Sequence, residues 1–302
     1  MNSILLFLLS FGFSLHLYGA SCCGGSSAVP SLITGDDKGQ ITTSYTQSNL
    51  TDQVDQNGVW IRRKGHTSQT LKFDSALIFS DRWQAGLTFS AIEKNINSGG
   101  LQEKRSALGD VILTGGFESL PEWDYSVWPP KGFTFMTLTL PTGKSINESS
   151  TTLGTDISGR GVYSLGLGQL LMKAIGAWDY QVMIEVHQSF DRKVYSPTLE
   201  RDVTLKPGIG STLMAGLGWN VKEYRLGGSL SHLTEDPMKT SEPGSSGLTQ
   251  QRLTTASVTA GYQINLETSS TLTLSSQKLF GDPQNSDLND SISLSIQKRW
   301  PR

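Results

Sequence analysis

The chain has 302 residues and a formal net charge of −2, with 36% hydrophobic residues and 32 glycines. This near-neutral balance lacks the basic field that nucleic-acid binding requires. A negative mean hydropathy excludes a bundle of membrane helices but not a membrane barrel, whose alternating strands keep the average polar.

Residues Ile4 to Leu17, ILLFLLSFGFSLHL, form the one long apolar run. It falls short of the roughly 20 residues that a spanning helix needs. Gly19, Ala20 and Ser21 follow, so 1–21 is expected to be a secretory signal peptide, although no Lys or Arg precedes the run and His16 interrupts it. Cys22 and Cys23 come next. Lipid attachment to Cys22 would want Leu where Gly19 stands, and two thiolates are too few ligands for a closed metal site. A vicinal disulfide, or no special role, is the simpler account. The stretch 22–38 is polar and contains Gly24-Gly25-Ser26-Ser27, so it is expected to lie in the periplasm and to enter a barrel lumen as a partial plug.

From Gly39 onward the sequence resolves into apolar-alternating segments of roughly ten residues, the length of a tilted membrane-crossing strand. They fall near 39–48, 69–80, 83–93, 107–119, 132–141, 161–173, 178–190, 206–219, 222–234, 250–264, 267–280 and 289–300. Twelve is an even number, which places both ends of a barrel on one side of the membrane. The joins at Asp81-Arg82, Ala174 to Ala177, Asn220-Val221 and Asn265-Leu266 are short, whereas those before the even-numbered strands are longer and polar. Only Leu120 to Lys131 breaks that order. Short periplasmic turns against long external loops are the pattern of a single antiparallel transmembrane β-barrel, here covering 39–302.

Alternation assigns the two faces. Tyr180, Val182, Ile184 and Val186 lie on one side of their strand, with Gln181, Glu185, His187 and Ser189 on the other. Tyr163, Leu165 and Leu167 likewise oppose Ser164, Gly166 and Gly168. Trp83, Trp128, Trp178, Tyr180, Trp219, Tyr224 and Trp300 gather near strand ends, where girdle aromatics sit at headgroup level. In the last strand Ile292, Leu294 and Ile296 alternate with Ser291, Ser293, Ser295 and Gln297 before Trp300. Trp300 is therefore expected to act as the signal read by the barrel-assembly machinery, although Pro301-Arg302 follow it where a standard signal ends on the aromatic.

The middle of the chain runs LGDVILTGGF (108–117), FTFMTLTLPTGKS (133–145) and LGTDISGRGVYSLGLG (153–168). The Gly-Asp entering a strand, the strand ending in Leu-Pro-Thr-Gly and the Gly-rich re-entry resemble, in order and spacing, the bacterial outer-membrane family named for the MetA pathway of phenol degradation. The resemblance covers about 60 residues clearly. It implies an outer-membrane barrel and transport of a small, apolar or aromatic molecule. The residues themselves read as structural: Pro141 suits a strand end, Gly143 a turn, and Asp110 a hydrogen bond to a neighbouring strand.

The inward-facing ionisable candidates are Lys72, Asp74, Asp110, Glu118, Glu185, His187 and Arg225. They would line either a charge-selecting constriction or a salt-bridged plug, since a charge facing lipid at the midplane costs about 2–4 kcal/mol. His187-Gln188-Ser189 has the His-x-Ser spacing of phospholipase barrels, but alternation points it inward and no Asn stands near to orient the His. Residues two apart on a strand are also about 7 Å apart at the backbone, too far for a base and nucleophile without adjustment. No catalytic, metal or cofactor motif is expected. The reading is therefore passive passage of a small-molecule permeant, with outer-membrane lipid and the assembly machinery as partners. A surface-interaction barrel and a lipid hydrolase are the alternatives.

Overall fold

The computed structural model describes residues 29–122, 128–241 and 250–301. The expected signal peptide and Cys22-Cys23 lie outside the described residues. Along the chain run β1 (Asp37–Val54), β2 (Trp60–Ser80), β3 (Trp83–Ser98), β4 (Leu101–Leu108), β5 (Val111–Leu120), β6 (Lys131–Leu140), β7 (Ser164–Ile175) and β8 (Trp178–Ser189). Then follow β9 (Arg192–Ser196), β10 (Arg201–Lys206), β11 (Ile209–Val221), β12 (Tyr224–Glu235), β13 (Lys239–Thr240), β14 (Gln251–Asn265), β15 (Thr268–Ser276) and β16 (Ser286–Pro301).

Thirteen of these strands form one antiparallel sheet that closes on itself. β4 and β5 both pair with β3 and act as a single barrel strand interrupted at Gly109-Asp110, so the barrel has twelve strand positions. Closure is made by β16 on β1, with Trp300 opposite Gly39 and Ser286 opposite Val54. A closed barrel satisfies every backbone group between strands, the condition for crossing lipid without a helix. No described helix is long and apolar enough to cross a membrane.

The expected alternation is seen on every face tested. Tyr180, Val182, Ile184 and Val186 point outward and are exposed, while Gln181 and Met183 are buried. Ile292, Leu294 and Ile296 are exposed, whereas Ser293, Ser295 and Gln297 are buried. Such apolar exposure around a whole molecule is explained by lipid as the facing solvent. At the end of the barrel that carries both terminal strand ends, Trp83, Trp178, Trp219, Tyr224, Tyr262 and Trp300 make an outward ring, each 43–61% exposed. Several are paired along the ring, as in Tyr224–Tyr262 at 5.1 Å and Trp83–Phe117 at 4.7 Å between centroids. That placement matches an interfacial girdle.

Strand ends differ from the sequence reading in three ways. The long polar join expected before the fourth strand is instead a paired hairpin, because Gly99 and Gly100, at φ 62° and 84°, turn the chain in two residues between Ser98 and Leu101. β1 and β2 extend well past 48 and before 69, and β16 follows β1 out to Ser286 opposite Val54. The turn expected at Asn220-Val221 falls instead at Lys222-Glu223, because Asn220 stays in the ladder opposite Arg225. Its side-chain amide donates to Asp179 at 2.7 Å. Lys222 takes φ 51°, which a two-residue hairpin demands at its first position, and Gly176 meets the same demand at φ 59° without a side-chain penalty.

The described parts of the far-end connections are folded. β9, β10 and β13 form a separate three-stranded sheet across the far mouth. Val194, Val203, Leu205 and Met238 bury a small apolar core there, and Val162 from the 141–163 connection completes it. Periodicity in 190–206 is too short to announce this cap, which forms only when three connections meet.

Candidate functional site in the barrel lumen

Lumen-facing residues divide the interior into two unlike halves. On the side of β6, β7, β8 and β11, alternation aims Phe133, Phe135, Leu170, Met183 and Met214 inward, and they pack into one cluster. Phe135 has room because Gly168 stands opposite it on β7; a Cβ there would strike the ring and the backbone carbonyl of Ile184. A glycine on the inner face thus makes space for a neighbour's side chain.

The cluster is closed by a residue from outside the barrel wall. Leu32, 1% exposed, packs against it, together with Val29. Side-chain hydrogen bonds tie the segment carrying Leu32 to the barrel wall. Ile33 N donates to Gln84 Oε1 at 2.6 Å and Gln84 Nε2 returns a bond to Ile33 O at 3.2 Å. Gln40 Nε2 donates to Leu32 O at 2.9 Å, and Ser31 Oγ to Ser75 O at 2.9 Å. Residues 29–35 therefore lie as a strap inside the terminal end of the lumen, close enough to β3 that a Cβ on Gly86 would collide with Ser31 O.

Opposite, β1, β2, β12, β14, β15 and β16 enclose a cavity of about 320 Å³. Lys72 and Asp74 line it and form an ion pair at 3.1 Å, with Thr88 Oγ1 donating to Asp74 at 2.5 Å. Hydroxyl ladders cross the barrel seam, as in Thr46 to Ser293 at 2.8 Å and Ser291 to Ser48 at 2.8 Å.

The remaining ionisable candidates occupy other levels. Glu118 pairs with Lys131 at 3.4 Å near the terminal end. Arg225 grips Asp179 through Nε at 3.0 Å and Nη2 at 2.8 Å, over Gly218. Glu185, at mid-barrel, accepts from Thr137 Oγ1 at 2.7 Å. Each carboxylate is thus opposed by a donor, so none is left as a bare buried charge.

The far end is narrowed by the 141–163 connection. Asp110, at the break between β4 and β5, accepts from Gly143 N at 2.9 Å and from Arg160 N at 2.8 Å. Thr142 Oγ1 donates to Gly109 O at 2.7 Å. The three segments that carry the family resemblance therefore meet at one carboxylate. This clamp aims the Arg160 guanidinium across the lumen, where Nη2 lies 2.6 Å from Glu235 Oε2 and Nη1 lies 3.0 Å from His187 Nε2. His187 Nε2 is also 2.9 Å from Glu235 Oε1. It can accept from Arg160 when unprotonated or donate to Glu235 when protonated, but not both. His187 is thereby committed to this cluster, and Ser189 Oγ is buried without a partner. The His-x-Ser pair has no hydrolytic geometry.

Sequence reasoning missed Arg160, Glu235 and Asp179. Arg160 lies in a connection where alternation says nothing. Glu235 and Asp179 sit at the extreme ends of β12 and β8, where the period-two signal fades. Further out, Asp156 sits in the same connection. Burial pushes its carboxyl up, but hydroxyls of Ser149, Ser150 and Thr151, the Ser150 amide and Lys144 outweigh that and hold it well below the usual range.

A closed, even-stranded antiparallel barrel with an apolar outer belt and a polar, ion-paired interior is a transmembrane β-barrel of the outer-membrane type. No known family profile matches the chain, and no curated protein matches its sequence. Among solved structures, the COG4313 outer membrane channel from Pseudomonas putida F1 is similar, with TM-score 0.69 and 15% identity over 91% of this chain and 99% of that one. The TodX deltaS2S3 mutant monoaromatic hydrocarbon channel is a weaker match, with TM-score 0.47 and 11% identity over 89% and 91%. The NanC porin is weaker still, at 0.46 and 7% over 86% and 98%. At these identities the likeness is one of fold.

Proposed function

We propose that this protein is an outer-membrane channel through which a small molecule passes by diffusion, with the strap 29–35 as a removable plug at the terminal end. The observation that carries the reading is the unequal lumen: one half is filled by side chains and the strap, while the other keeps a continuous cavity of about 320 Å³. A barrel serving only as a surface scaffold has no need of such a cavity. The plug reading is supported by the strap's lack of strand pairing: side-chain-mediated bonds to Ser75, Gln84 and Gln40 and the apolar contacts of Leu32 and Val29 are among what holds it. The terminal end is assigned to the periplasm because its described turns are mostly two residues long, against far-end connections of up to some twenty residues.

The resemblance to the MetA-pathway family implies an apolar or aromatic permeant. Support for that narrower reading comes from the Phe133, Phe135, Leu170, Met183 and Met214 wall, against which Leu32 and Val29 of the strap pack. The test is liposome permeation. Purified protein reconstituted into vesicles should admit small uncharged solutes faster than protein-free vesicles do, and equal rates would remove the channel reading.

A further inference from the structure

The open half of the lumen has a chemistry of its own. Of the 20 described residues that line its cavity, 16 carry a hydroxyl or carboxamide, two are apolar (Val29 and Pro30) and two are the closed Lys72–Asp74 pair. Among the described residues, Thr42, Ser44, Thr70, Thr255 and Ser257 have no hydrogen-bond partner in the protein, although all line the cavity. Ser257 is 6% exposed, and the alternation of β14 turns its hydroxyl inward, onto the cavity. Hydroxyls that open on a cavity without a partner in the protein are free to bond to whatever occupies it.

The geometry points to this cavity as a transit site for a small, uncharged, polyhydroxylated solute. It rests on the channel reading for its role in passage, and on the cavity itself for its chemistry. An apolar solute, suited to the opposite wall once the strap leaves, would in this half strip the water from five unpaired hydroxyls and replace none of those bonds. An ionised solute would meet no free countercharge, because Lys72 and Asp74 neutralise each other at 3.1 Å. A polyol can instead exchange hydrogen bonds with donors and acceptors on every side, since each hydroxyl serves as both. The volume, about 320 Å³, lies at the lower end of the range for small-molecule sites. Val29, Pro30 and Ser31 form part of the lining, so the strap that plugs the terminal end also floors the site.

The assignment is tested with xylitol as the probe, by saturation-transfer NMR on the full-length protein in detergent. Wild type should give a saturable xylitol signal, and the carboxylate analogue xylonate should give none. Thr42→Val, Thr70→Val and Thr255→Val together keep side-chain shape while removing three cavity hydroxyls, and should weaken xylitol binding about tenfold or more. Heat-modifiable gel mobility checks that the triple variant still folds. Should it not fold, Ser257→Ala alone should weaken binding about threefold or more. No xylitol signal with wild type, unchanged binding in the variants, or xylonate binding as well as xylitol would each overturn the assignment. Ion current in planar bilayers without xylitol binding would remove this site and leave the channel reading standing. Xylitol binding without passage of ions or xylitol would do the reverse.

Discussion

Asp110 and Arg160 stand fifty positions apart in sequence, yet the Asp110 carboxylate accepts the Arg160 main-chain amide at 2.8 Å. With the bond from Gly143 N, the same carboxylate holds both ends of the 141–163 connection to the barrel wall. Asp110→Asn keeps the size but replaces one acceptor oxygen with a donor that faces an amide N–H. Hydrogen bonds to charged groups contribute about 1.5–3 kcal/mol each, so the connection should loosen locally. Limited proteolysis should cut within 141–163 faster in the variant while the barrel keeps its folded gel mobility.

Glu235 is the shared anion of Arg160 and His187, at 2.6 and 2.9 Å. Glu235→Gln leaves the guanidinium without its countercharge at the narrow far end. Reversal potentials in a salt gradient should move toward anion preference. An unchanged reversal potential would place the ion path away from Arg160.

Asp156 predicts an acid limit for the external connection. Its carboxyl is held well below the usual range by the surrounding hydroxyls, the Ser150 amide and Lys144. A depressed folded value means that its contribution is fully present above the unfolded value near about 3.9. It is lost only as pH falls through the lower folded value. Hydrogen exchange in 144–157 should stay slow from neutral pH down to about pH 4 and rise below that. Asp156→Asn should exchange faster at all of these values.

Gly168 faces Phe135 so closely that any side chain must displace the ring or the Ile184 backbone. Gly168→Val should cost about 1–3 kcal/mol or more through overpacking, read as a lower unfolding temperature of the barrel. Gly115, with open space around its missing Cβ, is the control: Gly115→Ala should leave that temperature nearly unchanged.

Trp300 lies outward at the seam, against Gly39 of β1. If it is also the residue that the assembly machinery reads, Trp300→Ala should lower the amount of barrel reaching the membrane in cells. The same variant, refolded in detergent from urea, should close normally. Normal assembly in cells would leave Trp300 a seam residue and nothing more.

The barrel was legible because its physics is local. Period-two alternation in β8, β14 and β16 states which face meets lipid, and the order of short and long joins states the topology. The lumen was legible only by face. Lys72 and Asp74 pair with each other on β2, but the partners of Glu185 and His187 come from other strands and a connection, and no local pattern names Glu235 for His187. The cap of β9, β10 and β13 was not legible for the same reason: five- and six-residue strands carry too little periodicity, and their core needs Val162 and Met238 from elsewhere. Leu32 is the sharpest case. The short run Val29 to Ile33 is apolar at three of five positions but too short for a period to show, although its Leu32 packs on the apolar half of the lumen.

The central claim, a diffusion channel plugged by 29–35, is tested most directly by single-channel recording of the full-length protein beside a variant lacking 29–35. The account predicts small discrete steps for the full chain and clearly larger, less noisy steps once the strap is gone. Equal conductance in the two would contradict the plug, and no steps in either would contradict the channel.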